Sequence, residues 1–344
     1  MKAVVQREYG SADVLHLQEV DRPPMSANSV LVRVRAASVH AGDWHLMRGD
    51  PFLLRFIYGG IHRPKITILG SDVAGEVDAV GQAVRQFKPG DPVFADLTEC
   101  GFGAFAEYVS VPESALVLKP ENLTFAEAAT VPVSGLSALQ GLRDVGQLQA
   151  GERVLIKGAA GGVGSFAVQI AKALGAEVTG VCSPHKQEVV RKLGADEVMD
   201  YDQAVHQAPR FDLILDTAAY RSVFASLAVL KPGGRYVMVG GAMPYFFQVL
   251  LLGSLMSALS GRRVKSLVCQ PNSKDLTLLK DWIERGTIYP YVDRTYPLEQ
   301  VPDAIHALEQ RQVCGKVAIS IGSAPYSPLC QGHASATASH LARD

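Results

Sequence analysis

The chain of 344 residues reads as an α/β protein in which a doubly wound parallel sheet follows a β-rich opening segment. Three features lead there. Residues 1–120 carry short β-branched runs separated by glycine and proline turn signals. Strands and helices alternate from about residue 125. Four glycines, Gly158, Gly161, Gly162 and Gly164, fall between a buried strand and a helix. Alternation of that kind is what a parallel sheet with crossover helices requires.

The opening "MKAVVQREYG" is apolar and β-branched and lacks the apolar core of a secretory leader. "SVLVRVRAASV" (29–39) alternates as a strand does, and "SDVAGEVDAVG" and "DPVFADL" follow it around a Pro89-Gly90 turn. The second half starts with the strand "GERVLIKG", the helix "GSFAVQIAKALG", the strand "AEVTGVC" and the helix "HKQEVVRKLG". Then come the strand "FDLILDTA", an expected helix through "SVFASLAVLKPGG", and the strands "RYVMVGG" and "RVKSLVCQ". "SKDLTLLKDWIERG" should be a further helix and "GKVAISI" a last strand. The tail from Gly322 lacks periodicity and is expected to be disordered. "YFFQVLLLGSLMSALSG" (245–261), broken by Gln248 and Gly253, is shorter than the about 20 clean apolar residues of a membrane span. It is read as a buried or interface helix, and no membrane partner is expected.

A net charge of -1 argues against a nucleic-acid partner, which would favour a basic excess. The cysteines at 100, 182, 269, 314 and 330 are scattered with no CxxC pair. That pattern suits a reducing, cytoplasmic setting and signals neither a disulfide framework nor a structural zinc lobe.

In "VLIKGAAGGVGSFAVQI" the glycines permit a tight turn, close approach of backbone to a pyrophosphate, and packing of helix on strand. The helix start then offers free N–H groups and a positive dipole end to phosphates. A glycine cluster alone also suits a turn; its place between strand and helix favours a dinucleotide. At the end of the second strand, where an NAD site usually carries an acid, the chain has Cys182, then Ser183, His185 and Lys186. Nothing there repels a 2′-phosphate, so the expected cofactor is NADPH.

The motifs "SVHAGDW", "LGSDVAGEVDAVG", "FKPGDPVFA", "GAFAEYV", "AATVPVSGLSALQGL", "GAAGGVG", "LGADEVMDY" and "GKVAI" occur in this order over residues 1–321. Together they resemble the medium-chain dehydrogenase/reductase superfamily, and within it the zinc-independent quinone oxidoreductase (zeta-crystallin-like) branch. The resemblance implies a Rossmann domain inserted in a GroES-like β-barrel catalytic domain, with the nicotinamide in the cleft between them. The implied boundaries are 1–124 and 269–321 for the catalytic domain, 125–268 for the NADP-binding domain, and 322–344 for the tail.

Zinc-dependent alcohol dehydrogenases place metal ligands where this chain has His40, Ser71 and a position near Val133. A catalytic zinc needs three protein ligands, so no metal is expected. By the same resemblance Ser137 lies against the nicotinamide ribose, and Lys186, Tyr201 and Arg311 hold the 2′-phosphate. Ala160, Val163, Gly240 and Lys316 complete the expected cofactor contacts, with the loop glycines and Ser183. Asp43 matches the quinone branch, whereas His40 and His45 stand where that branch has Asn and often Tyr. Since imidazole titrates near neutrality, His45 is expected to donate the proton, with His40 and Asp43 in support.

The chemistry implied is hydride transfer from NADPH to a quinone or an α,β-unsaturated carbonyl. Two alternatives remain: an NADPH-binding protein with a structural or redox-sensing role, and an enoyl-thioester reductase. The latter would use basic patches such as "GIHRPK" or "GRRVK". A homodimer is expected through the edge strand "RVKSLVCQ".

Overall fold

The computed structural model describes residues 1–58, 60–208, 210–220 and 222–322. The expected disorder of the tail therefore concerns, from Ser323 onward, residues outside those described. Two main sheets share the chain. The first is mostly antiparallel and draws on both chain ends. It runs Val292–Pro297, Lys316–Ser320, Ser29–Val39, Asp72–Val80, Pro92–Asp96 and Val117–Leu118, with Tyr108–Pro112 also paired to Ser29–Val39. Its GroES-like fold follows from the alternation in "SVLVRVRAASV", whose valines at 30, 32 and 34 are buried while Arg33 is exposed.

The second sheet is parallel throughout and six-stranded: Arg153–Lys157, Glu177–Val181, Glu197–Met199, Phe211–Asp216, Leu230–Met238 and Arg263–Ser266. Numbered within this sheet by chain position, the spatial order is 3-2-1-4-5-6, the doubly wound order of a Rossmann fold. The order reverses beside Arg153–Lys157, which opens the ligand crevice at that strand's carboxyl end. The expected α/β class, with a Rossmann sheet beside a GroES-like one, is what the structure has. A single apolar core spans both sheets, joining Ala74 and Phe94 to Leu136, Leu139 and Val154.

One sequence expectation changes. The helix expected through "SVFASLAVLKPGG" spans only Val223–Ala228, and Leu230–Met238 is a strand. Pro232 has no N–H for a helix, and Gly233 adopts φ +75. The ladder shifts at this point, from Phe211↔Leu230 to Leu213↔Arg235, so "KPGG" is an irregularity within a strand. The apolar helix Met243–Ser260, read as buried or at an interface, buries Val249 and Met256 and leaves Leu251 and Leu259 76% and 80% exposed. No helix among the described residues is long and apolar enough to cross a membrane.

Under the crevice lies a buried ion pair. Lys157 Nζ is 2.5 Å from Asp216 Oδ2 and donates to Ser226 Oγ at 3.0 Å. Tyr236 OH donates to the same carboxylate oxygen at 2.9 Å, and the Ala218 N–H to Oδ1 at 3.2 Å. The pair links the first and fourth strands, register partners Lys157↔Asp216, to the helix Val223–Ala228. Lys157→Met should strand a buried carboxylate and cost about 3–5 kcal/mol in urea unfolding. The double variant Lys157→Met/Asp216→Leu, which buries no charge, should lose less; a larger loss would remove the pair from this role.

Candidate active site

The glycine loop follows strand Arg153–Lys157 and feeds the helix Gly162–Ala173. Gly158 has φ +75, and a Cβ there would lie 2.5 Å from Thr217 Oγ1. A Cβ at Gly164 would come within 2.1 Å of the Gly158 carbonyl oxygen, so helix and loop touch backbone to backbone. The helix has Gly161 at its N-cap and no side-chain cap. Its first bond runs from the Ser165 N–H to the Gly161 carbonyl, at 2.9 Å. The N–H groups of Gly162, Val163 and Gly164 precede that bond and are available to an anion. The Ala160 carbonyl accepts the Gly315 N–H at 2.8 Å, which ties the loop to the last strand. Gly240, after strand Leu230–Met238, lies against the Thr217 carbonyl: a Cβ there would be 3.3 Å from its oxygen.

At the end of the second strand the expected residues converge. Lys186 Nζ donates to the carbonyls of Arg311 and Val313 at 3.0 and 2.6 Å. Arg311 has φ +58, and its guanidinium lies 4.0 Å over the Tyr220 ring. The Tyr201 phenol is pushed up to about 12 by burial and the Asp216 charge, with Arg311 acting against them. Ser183 is half-buried beside this group. Burial and the neighbouring Cys314 push the Cys182 thiol up to about 11, so no charge forms there to oppose an anion. Lys316 does not join it. Its ammonium is buried 2.9 Å from Asp72 Oδ2, and only its stem passes the loop, where a Gly162 Cβ would lie 2.9 Å from Lys316 Cδ.

The histidines separate. His40 caps the helix Ala41–Arg48: its Nδ1 accepts the Gly42 N–H at 3.0 Å, and its Nε2 lies 2.5 Å from Ser71 Oγ. An imidazole accepting at Nδ1 carries its proton at Nε2, so His40 donates to Ser71. Asp43 completes the capping box by accepting the His40 N–H at 2.9 Å. Its Oδ1 is buried without a hydrogen-bond partner, and burial holds the carboxyl above its ordinary range. His45 points its Nδ1–H at the Asp50 carbonyl, 2.9 Å away, which leaves Nε2 as an acceptor. Burial lowers its affinity for a second proton. With Nδ1–H on that carbonyl, and with burial against the charged form, His45 presents an acceptor rather than a donor.

Sequence reading missed the acids around this point. Asp72, fully buried, accepts from Lys316, from Ser38 Oγ at 3.1 Å and from the Val133 N–H at 2.8 Å. Asp96 is its register partner on the next strand. Asp96 also lines a cavity of about 270 Å³ between the sheets, with Glu99, Cys100, Leu136, Pro271 and Asn272 among its other walls. Ser137, next to Leu136, is buried and hydrogen-bonded to Cys269, whose thiol burial pushes up to about 12. The usable signal was a carboxylate ending the apolar run "VFAD", where a strand should present core to core. The "GRRVK" patch is partly spent on structure, since the Arg262 guanidinium bonds the Leu230 carbonyl.

These are the parts of a nicotinamide-dependent dehydrogenase. The chain matches the alcohol dehydrogenase GroES-like domain over residues 26–121 and the zinc-binding dehydrogenase model over residues 193–319. It is 32% identical to the mitochondrial NAD(P)H oxidoreductase RTN4IP1 of Bos taurus, over 93% of this chain and 89% of that protein. It is 34% identical to the chloroplastic NADPH-dependent alkenal/one oxidoreductase of Arabidopsis thaliana, over 93% of this chain and 79% of that one. Among solved structures, the quinone oxidoreductase from Coxiella burnetii superposes with a TM-score of 0.83 at 27% identity, covering 94% of this chain and 99% of that chain. The chain belongs to the medium-chain dehydrogenase/reductase superfamily, and within it to the quinone oxidoreductase branch.

Gly164→Val should push a side chain into the Gly158 carbonyl and displace the helix start. The expected result is a loss of dinucleotide binding of at least tenfold, read by cofactor fluorescence, with a native circular dichroism spectrum. Unchanged affinity would show that the loop does not hold the pyrophosphate.

Proposed function

We propose that this chain uses NADPH, without zinc, to reduce quinones or α,β-unsaturated carbonyl compounds. The observation that carries the reading is the pairing of two features. One is an uncapped glycine-loop helix start, and the other a partly open cavity whose walls hold carboxyl, hydroxyl, amide and apolar groups but no Lys or Arg. A bound NADPH supplies a hydride. The chain's own residues hold it: the N–H groups of Gly162, Val163 and Gly164 face the pyrophosphate, and Lys186, Arg311, Tyr201 and Ser183 face the 2′-phosphate. Lys186 suits that task because an ammonium has three protons, and two already reach the carbonyls of Arg311 and Val313. Ser137 positions the nicotinamide ribose.

Zinc independence rests on the donor set. His40 uses both ring nitrogens within the protein, Ser71 receives one of them, and Val133 offers no side-chain donor. Among the described residues no group of three His, Cys, Asp or Glu could hold a metal. Without a Lewis acid, an electrophile whose charge spreads onto an oxygen is easier to reduce than a simple aldehyde, since hydrogen bonds can stabilise that oxygen. A cytoplasmic setting accords with the free thiols of Cys100, Cys182, Cys269 and Cys314.

A homodimer completes the reading. Strand Arg263–Ser266 ends the parallel sheet with one edge open, and the helix beside it exposes Leu251, Leu255 and Leu259 at four-residue spacing. Two such edges related by a two-fold axis would pair and cover both stripes. Light scattering at micromolar concentration should give twice the chain mass; a monomer would reject the dimer.

Oxidation of NADPH against a panel of quinones, enones and enals, with and without chelator, tests the activity. Turnover unchanged by chelation is expected, and no turnover with any of them would sink the reading. Lys186→Met should weaken NADPH about ten- to hundredfold, the worth of one charge-assisted contact, and leave NADH nearly unchanged. Equal affinity of the unmutated chain for both cofactors would overturn the NADPH assignment.

A further inference from the structure

We propose that Asp96 is the acid of this site, its free Oδ2 binding the substrate oxygen and delivering the proton that follows the hydride. The inference rests on the reductase reading above and names the proton donor that the histidines do not provide. His40 gives its Nε2 proton to Ser71, and His45 presents an acceptor. The Asp96 side chain is built for the task. Only 5% of the residue is exposed, and it forms part of the wall of the 270 Å³ cavity. Its Oδ1 is held by two bonds from Thr98, the N–H at 2.8 Å and Oγ1 at 2.5 Å. Among the described residues its Oδ2 has no hydrogen-bond partner, and an acid without a partner in such a place is an acid kept for a ligand.

The surroundings hold the proton on it. Burial and the charge of Asp72 on the adjoining strand push the Asp96 carboxyl up to about 6, against the two Thr98 bonds and the His40 side chain. Lys316 is turned to the far partner, Asp72. The other groups near it bring no cation. Tyr58, Cys100 and Cys269 stay neutral, each pushed up by burial and in part by the Asp96 charge itself, and Glu99 is acidic. An acid poised near working pH is the most effective proton donor. The wall chemistry also narrows the substrate: two carboxyl groups and no basic side chain favour uncharged enones, enals and small quinones over anionic 2-enoates.

The step balances. The hydride brings two electrons to the β-carbon of an enone, and the C=C pair shifts to leave an enolate oxygen. The Oδ2–H bond breaks, its proton goes to that oxygen, and the enol relaxes to the saturated ketone. Asp96, now a carboxylate, takes a proton from water. One NADPH and one proton are consumed, and a quinone gives a hydroquinone by the same accounting.

Asp96→Asn keeps the shape and an acceptor for Thr98 but gives no proton. It should bind NADPH within about twofold of the unmutated affinity and lower kcat about a hundredfold or more, the scale of lost general-acid catalysis. The unmutated enzyme needs the protonated form, so kcat should fall as pH rises through about 6, and this limb should vanish in Asp96→Asn. Infrared difference spectra between pH 5 and pH 8 should show a carboxylic-acid band that the variant lacks. Thr98→Ala is the second probe. Losing the Oγ1 bond to the carboxylate, while the backbone N–H bond stays, should move the limb to higher pH, which a merely structural Asp96 would not do. Melting at pH 8 guards against unfolding: the variant, freed of a buried charge, should be at least as stable as the unmutated chain. An active unmutated enzyme with an equally active Asp96→Asn, or a limb unmoved by Thr98→Ala, overturns the role of Asp96 alone. An unmutated chain inert toward every enone and quinone overturns the parent reading, and this proposal with it.

Discussion

The contact between Lys316 and Asp72 organises the molecule. Two residues 244 apart in sequence meet at 2.9 Å, both almost fully shielded from water. Such a pair holds only when the remaining lone pairs are satisfied, and here they are: Ser38 Oγ and the Val133 N–H bond the same carboxylate. One acid thereby fastens the last strand, the long strand Ser29–Val39 and the start of helix Pro132–Gln140. The lysine stem lies against Gly162, so the cofactor loop is seated on the same pair. The two sheets are registered to each other at the point where the chemistry takes place.

That junction sets the electrostatics around it. Asp43, Asp72 and Asp96 crowd a region with one buried ammonium. Lys316 bonds Asp72, and the other two carboxyls are pushed up by burial, Asp43 lacking a partner for Oδ1 and Asp96 facing the charge of Asp72. Burying several carboxyls beside a single cation is tolerable when the unpaired ones hold protons. The raised proton affinity of Asp96 and its neighbour Asp72, paired with Lys316, are thus two sides of one arrangement.

How much of this was legible in the sequence depended on the range of the interaction responsible. The glycine loop, the alternating strand 29–39 and the missing acid after "GVC" are local signals, and each was readable from its own segment. The segment likewise singled out His40, Asp43 and His45 as a group. What spacing could not reveal was the direction of each ring. The tautomer of His45 follows from the Asp50 carbonyl at the helix end, and that of His40 from the Gly42 N–H it caps. "LKPGG" misled because helix-compatible residues before it ran into a proline and two glycines whose strand character comes from the neighbouring ladder. Lys316 was read as a cofactor contact since its partner Asp72 lies far away in sequence.

Asp96 marks the limit of local reading most clearly. In "VFADL" it looks like a polar residue at a strand end, where a turn would normally take it to water. Only the pairing Asp72↔Asp96 shows that it sits beside a buried charge, and only the packing of Leu136 and Pro271 shows that it lines a cavity. Its acidity is a property of the domain junction rather than of its own segment. The proposed reaction has the same character: it needs hydride and proton at one substrate, and the ion pair beside the glycine loop also holds the strand next to the one that carries Asp96.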